Sequence, residues 1–176
     1  NFSSNLQDLM AAPNYLEQQY AAPTLLIGHS LGGSAVLAVA QDLPAVKAVV
    51  TIGAPATAAH IKHLFADSYH ALTHQPSVQV ELGGRSFNIQ RQFIDDLEKY
   101  NSVVHIQSLR KALLIFHSPL DKVVSIDEAA RIFTAAKHPK SFVSLDHADH
   151  LLSNPEDSQY VAEVLSAWAG RYLKTE

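Results

Sequence analysis

The sequence predicts an α/β fold: a mainly parallel sheet with flanking helices, interrupted by a lid-like insertion that contains a β-hairpin. Three observations predict it. Short apolar runs rich in Leu, Ile and Val recur at 24–28, 46–52 and 111–117, each the length of a buried strand, and a fourth strand reads at 141–145. Segments with helical spacing lie between and around them, which implies right-handed crossovers and parallel pairing. Each run ends in a polar or glycine-bearing loop, where a parallel sheet collects its reactive groups. At 176 residues one domain is expected, with a core of 1–55 and 109–176 and the insertion at 56–108.

Residues 3–20 read as a helix with apolar positions Leu6, Leu9, Met10, Leu16 and Tyr20, and with Ser4 and Gln7 as a capping box. Pro13 lies inside that pattern, so a kink or break is expected near Ala11 and Ala12. Pro23 introduces the first strand, which runs into Gly28-His29-Ser30-Leu31-Gly32-Gly33. This is Gly-x-Ser-x-Gly with a strand before it and a helix at 34–40 after it. A serine on so sharp a turn is strained, with its hydroxyl pushed out of the sheet. Gly28 and Gly32 are expected to be glycine because a Cβ there would meet neighbouring backbone. The helix N-terminus adds partial positive charge, and the Leu31 N–H points towards any developing oxyanion.

Pro44 ends that helix, and the second strand closes in Gly53-Ala54-Pro55. The insertion reads as a helix near 56–66, then a polar stretch with His63, His70 and His74. Val78, Val80 and Leu82 alternate up to Gly83-Gly84, and Phe87 and Ile89 alternate after it, a hairpin pattern. From Arg91 to Tyr100 the spacing is helical, with Phe93, Ile94 and Leu97 on one face. An insertion of this size between core strands is expected to act as a lid over a site; the alternative is a solvated excursion covering a sheet edge.

The third strand ends in His117-Ser118-Pro119-Leu120-Asp121, and Ser125 caps a helix with Asp127 and Glu128 in its first turn. Pro139 precedes the fourth strand, whose loop is Asp146-His147-Ala148-Asp149-His150. Pro155 opens a last helix with Val161, Val164, Leu165, Trp168 and Leu173 as its apolar stripe.

A net charge of −4 and a pI of about 6.2 speak against nucleic acid or an anionic membrane as partner. The absence of cysteine removes a disulfide framework, a thiolate nucleophile and a zinc–thiolate site. No apolar run reaches the roughly 18 residues that a membrane span needs. His147 and His150 have metal-ligand spacing but lack a third ligand in a supporting pattern, so neither metal nor cofactor is expected. The opening at Asn1, without initiator Met or signal-like segment, reads as a processed or truncated product whose targeting segment is lost from view; the location expected is cytoplasmic.

A serine hydroxyl needs a base near neutrality, in practice an imidazole, and that imidazole needs a carboxylate to fix its tautomer. Three strand ends carry Ser30, Asp121 and His150, in that chain order. Asp121 is favoured over Asp127, which suits a helix N-terminus, and over Asp146, which suits a turn. His150 is favoured over His147 because Leu151 and Leu152 would anchor its loop in the core. His29 reads as a residue that packs or orients locally, and His117 as a site-lining or structural histidine.

Taken together, Gly28 to Gly33, His117 to Asp121 and Ala148-Asp149-His150 resemble the α/β-hydrolase superfamily. More narrowly they are similar to bacterial serine esterases, including hydrolase modules sometimes joined to an OsmC-like peroxidase domain. Gly83-Gly84-Arg85-Ser86-Phe87 and the run from Lys140 to Leu145 are similar to that group too. The resemblance covers nearly the whole chain. It implies Ser30 as nucleophile, Asp121 as acid, His150 as base and the Leu31 amide as one oxyanion donor. Such proteins carry about four further strands before the first helix seen here, and one of their loops supplies the second oxyanion N–H. The resemblance therefore implies a truncated version with an open edge at 24–28, where a missing N-terminal segment or a second copy would pair.

The function expected is a serine hydrolase cleaving an ester-type bond of a small-molecule substrate through an acyl-enzyme. Lipase, thioesterase, peptidase and carbon–carbon hydrolase stay open. The alternative is a non-catalytic ligand-binding or interaction module of the same fold.

Overall fold

Four strands pair in the order their crossovers allow. In this computed structural model, which describes residues 1–60, 71–72, 74–82, 85–100 and 103–173, the chain opens with α1 (Phe2–Gln19), β1 (Leu25–His29) and α2 (Leu31–Val39). Next come β2 (Ala48–Ile52), β3 (Ser77–Leu82), β4 (Arg85–Gln90), α3 (Arg91–Glu98) and the short α4 (Val104–Gln107). β5 (Ala112–His117), α5 (Ile126–Ala135), β6 (Lys140–Ser144) and α6 (Pro155–Ala169) complete it. The main sheet runs β1-β2-β5-β6, and all three pairings are parallel.

Alternation along the strands divides the core into two faces. Val49, Leu113 and Ile115 pack with Val36 and Leu37 of α2 and Ala129 and Ile132 of α5. Val50, Leu114 and Phe116 point the other way, onto Leu145 and Val161, joined by the partly buried Val164, Leu165 and Trp168 of α6. Burial on both faces is why β2 and β5 read as near-continuous apolar runs. Of the stripe expected on the last helix, Leu173 lies beyond the helix end.

Helix α1 departs from expectation in three ways. It is unbroken through Pro13, which is buried. Leu6, Leu9 and Met10 pack on the core, and this tertiary anchoring outweighs the roughly 3 kcal/mol that an interior proline costs. The capping box is one turn earlier than expected: the Asn1 side chain accepts from Ser4 N, and Ser4 Oγ reaches back to Asn1, so Gln7 takes no part. Leu16 and Tyr20 are exposed, so the apolar stripe ends with the first half of the helix.

Within the insertion, β3 and β4 form the expected antiparallel hairpin, with Val78 opposite Ile89 and Val80 opposite Phe87. Of the helix expected near 56–66, residues 58–60 form a single tight turn, while 61–66 lie outside the described residues, as do His63, His70, Gly83 and Gly84. Val80, Ile89, Ile94 and Leu97 pack with Phe2 and Ala35, which seats the insertion on the start of α1 and on α2. Asp96 locks that seat. Its buried carboxylate accepts from Ser3 N at 2.6 Å and from Ser3 Oγ at 2.5 Å. Burial pushes the Asp96 pKa up, but the Ser3 and Lys99 hydrogen bonds together outweigh it and hold it below the usual carboxylate range.

Candidate active site

Three strand ends at the carboxyl end of the parallel sheet build the site. Ser30 follows β1 directly, at φ 52° and ψ −129°, a conformation that costs a non-glycine residue about 1–3 kcal/mol. It is held there by its own N–H, which donates to the Ile52 carbonyl of β2 at 2.9 Å. The turn needs Gly28, where a Cβ would lie 2.3 Å from the Gly32 carbonyl oxygen. Gly32 itself is a correction. A Cβ there meets nothing within 4 Å, and it is Gly33 that makes the close approach, 2.4 Å from the Ala54 Cβ. Leu31 opens α2, so its N–H has no intrahelical partner and is free to donate at the site.

Asp121 leaves β5 through a tight turn in which its N–H donates to the Ser118 carbonyl at 3.2 Å. Oδ1 accepts from Val123 N at 2.8 Å and Val124 N at 2.9 Å, which leaves Oδ2 for His150. His150 Nδ1–H donates to that oxygen at 2.7 Å, and His150 Nε2 lies 3.1 Å from Ser30 Oγ. One unbroken chain of hydrogen bonds thus joins Asp121, His150 and Ser30. The Asp121 side chain is 2% exposed. Burial alone pushes its pKa up, yet the bonds from His150, Val124 and Val123 outweigh that and hold it below the usual carboxylate range. The carboxylate therefore stays ionised beside the imidazole whose Nδ1 proton it fixes.

The loop that carries His150 is anchored differently from expectation. Leu151 is 49% exposed, while Ala148 is buried and Leu152 packs on the sheet. Asp149 Oδ1 accepts from Leu151 N and Ser153 N, closing the turn that presents His150.

The competing candidates stand elsewhere. Asp127 is exposed in the first turn of α5, where Ser125 caps the helix. Asp146 accepts from Ser144 Oγ in a turn, and His147 is exposed. His117 is fully buried, and its Nε2–H donates to the Val124 carbonyl at 2.9 Å, behind Asp121. Among the described residues no group of three His, Cys, Asp or Glu is placed to hold a metal.

Two contributors escape sequence reading. Gly53, at φ +55°, backs the Asp121–His150 pair so closely that a Cβ would lie 3.3 Å from Asp121 Oδ2 and 3.4 Å from His150 Nδ1. A Gly-Ala-Pro loop signals a turn, and nothing local says what lies against it. Glu128, expected as a helix-terminus acid, is buried and accepts from Ala56 N at 2.9 Å, tying α5 to the start of the insertion.

The sequence from residue 3 to residue 176 matches the model of the prolyl oligopeptidase family. None of the curated proteins is similar to it. Among solved structures the chain is similar to the esterase domain of a Rhodothermus marinus protein, at 53% identity and a TM-score of 0.82, over 96% of this chain and 70% of that one. Est1E from Butyrivibrio proteoclasticus is similar at 15% identity and a TM-score of 0.78, over 99% of this chain and 72% of that one. Mouse alpha/beta hydrolase domain-containing protein 10 follows at 17% identity and a TM-score of 0.75, over 97% and 70%. The last two likenesses show the fold. Among the described residues no helix is long and apolar enough to cross a membrane. With a match that takes in nearly every residue, the chain belongs to the prolyl oligopeptidase family and is a hydrolase of the α/β-hydrolase fold.

Proposed function

We propose that this chain cleaves a carboxylic ester of a small-molecule substrate through an acyl-enzyme on Ser30, with His150 as base and Asp121 as orienting acid. The observation that carries the reading is the continuous Asp121–His150–Ser30 relay at 2.7 and 3.1 Å. Its esterase character is supported by the 53% identity to the Rhodothermus domain described as an esterase.

In the first half-reaction Ser30 Oγ bonds to the acyl carbon while its proton passes to His150 Nε2. The bond to the leaving oxygen then breaks, and that oxygen takes the proton. In the second half water attacks the acyl carbon, His150 takes a water proton, and Ser30 Oγ leaves and recovers a proton from His150. The Leu31 N–H donates to the oxyanion in both halves, assisted by the N-terminus of α2. No cofactor or metal enters this scheme. The described part of the insertion acts as a lid beside the site, a role supported by Leu31 packing against the cluster that holds Val80, Ile89, Ile94 and Leu97.

Intact-mass labelling with a fluorophosphonate, with Ser30→Ala as control and circular dichroism in parallel, tests the reading. Labelling of the parent and not of the variant is expected. A folded, unlabelled parent would overturn catalysis by this chain. Acyl p-nitrophenyl esters and a proline-containing peptide anilide, assayed side by side, separate esterase from peptidase activity, and faster ester turnover is expected.

A second reading, an interaction module of the same fold, rests on β1. Among the described residues β1 pairs with a strand on one side alone, and Ile27 is 51% exposed. A groove of about 340 Å³ lined by Phe2, Leu9, Ile27, His29, Leu31 and Ala35 runs beside it. A strand from a second copy or from a further N-terminal segment would satisfy that edge. Sedimentation over a concentration series tests self-pairing, and a constant monomer mass would remove it.

A further inference from the structure

The hydrogen bond between His150 Nε2 and Ser30 Oγ joins the base to the nucleophile only while Ser30 carries its free hydroxyl. Once Ser30 is acylated that bond is gone, and the base must still be in register to activate water. A second link between the two loops survives acylation. His29 Nε2 lies 2.7 Å from the backbone carbonyl oxygen of His150. A carbonyl oxygen only accepts, so His29 Nε2 carries the proton and donates it. The His29 and His150 rings also lie side by side, with centroids 4.9 Å apart and planes at 43°.

This contact ties the last residue of β1 to a loop 121 residues later, and it uses no reacting atom. The turn made by Asp149 and the packing of Leu152 fix the base loop on its own side of the sheet. The His29 bond instead fixes that loop to the nucleophile turn. Resting on the assignment of His150 as base, we propose that His29 is a positioning residue that holds His150 over Ser30 during the acyl-enzyme stage, so that its loss slows deacylation more than acylation.

The experiment follows p-nitrophenyl acetate turnover in wild type, His29→Ala, His29→Phe and His29→Gln by stopped flow and intact mass. Fluorophosphonate labelling rates report attack by Ser30 separately. His29→Ala and His29→Phe remove the donor, and His29→Phe keeps a ring beside His150. Both are expected to slow deacylation about fivefold to tenfold, the factor one neutral hydrogen bond supplies, with kcat and KM falling together by up to that factor. Both are expected to show a burst with accumulating acetyl-enzyme, while labelling stays within about twofold of wild type. His29→Gln retains an N–H for the carbonyl and is expected to restore turnover without the burst. Because the His29 side chain is exposed, the Ala and Gln variants keep the comparison measurable if the Phe variant folds poorly.

Three results would overturn the assignment: unchanged kcat in His29→Ala, labelling and turnover falling in equal proportion, or His29→Gln failing as His29→Phe does. A labelled wild type with any of these sinks the role of His29 alone. A folded wild type that neither labels nor turns over sinks the catalytic reading and this role with it.

Discussion

A methyl group at Gly53 would press into the contact between Asp121 and His150. The added Cβ would lie 3.3 Å from Asp121 Oδ2, 3.4 Å from His150 Nδ1 and 3.5 Å from His150 Cε1. Those distances oblige the pair to yield by a few tenths of an ångström. The backbone adds a second cost, because at φ +55° an L-residue pays about 1–2 kcal/mol relative to glycine. For a domain of this size that loss lowers Tm by about 2–8 °C. A displacement of about 1 Å at a catalytic group can cost roughly 100-fold, so a few tenths should lower kcat about threefold to tenfold.

KM should change little, since Gly53 touches the relay and not the nucleophile's open side. Thermal melts followed by circular dichroism, with kcat and KM on p-nitrophenyl acetate, measure both effects in Gly53→Ala. Gly32→Ala is the control: a Cβ there meets open space in the first turn of α2, so stability should hold or rise by up to about 1 kcal/mol, about 2–4 °C in Tm. A Gly53→Ala protein with wild-type Tm and kcat would refute the close packing behind the relay. Equal damage from Gly32→Ala would refute the contrast between the two glycines.

Further expectations follow from the same geometry. Asp121→Asn should stay folded, because its carbonyl oxygen can still accept from Val123 and Val124, while kcat falls about 10,000-fold through loss of the productive tautomer; near-wild-type initial rates would refute the role of the acid. Phe116→Ala should cost about 3–5 kcal/mol in urea unfolding, because Phe116 is 0% exposed between β5 and α6. Stability should fall on acidification. Asp121 and Asp96 have depressed pKa values, so what they contribute is complete above the ordinary 3.8 and is lost as the pH falls through their folded values. Burial lowers the His105 pKa, so its contribution is complete above 6.5 and begins to fade below it. Urea midpoints between pH 7.5 and 3 measure this, and Asp96→Asn should flatten the acid limb; a midpoint that rises towards pH 3 would contradict the sign.

Several particulars show where reading the sequence stops. Local rules predict a break at Pro13 and crowded Cβ positions at Gly28 and Gly32; the structure bears out Gly28 and overturns the other two. Pro13 lowers helix propensity, but the anchoring of Leu6, Leu9 and Met10 in the core decides that the helix continues. Gly32 occupies the motif position, yet which glycine meets a neighbour depends on where the loop after β2 passes, and it passes Gly33. Leu151 reads as an anchor by hydropathy and is exposed because Ala148 and Leu152 already fill the space against the sheet.

The sequence by itself determined the alternation of strands and helices, the parallel sheet, the hairpin in the insertion and the strained serine turn. Those features follow from spacing along one short stretch, and burial on one or both faces writes that spacing directly into residue order. Position at the strand ends already favours Asp121 and His150; tertiary structure alone decided that they reach Ser30 within hydrogen-bonding distance, that Gly53 backs them, and that His29 reaches the His150 carbonyl. Each of these is a contact between strand ends far apart in the chain, and a distance of 3 Å across a sheet has no counterpart in local sequence.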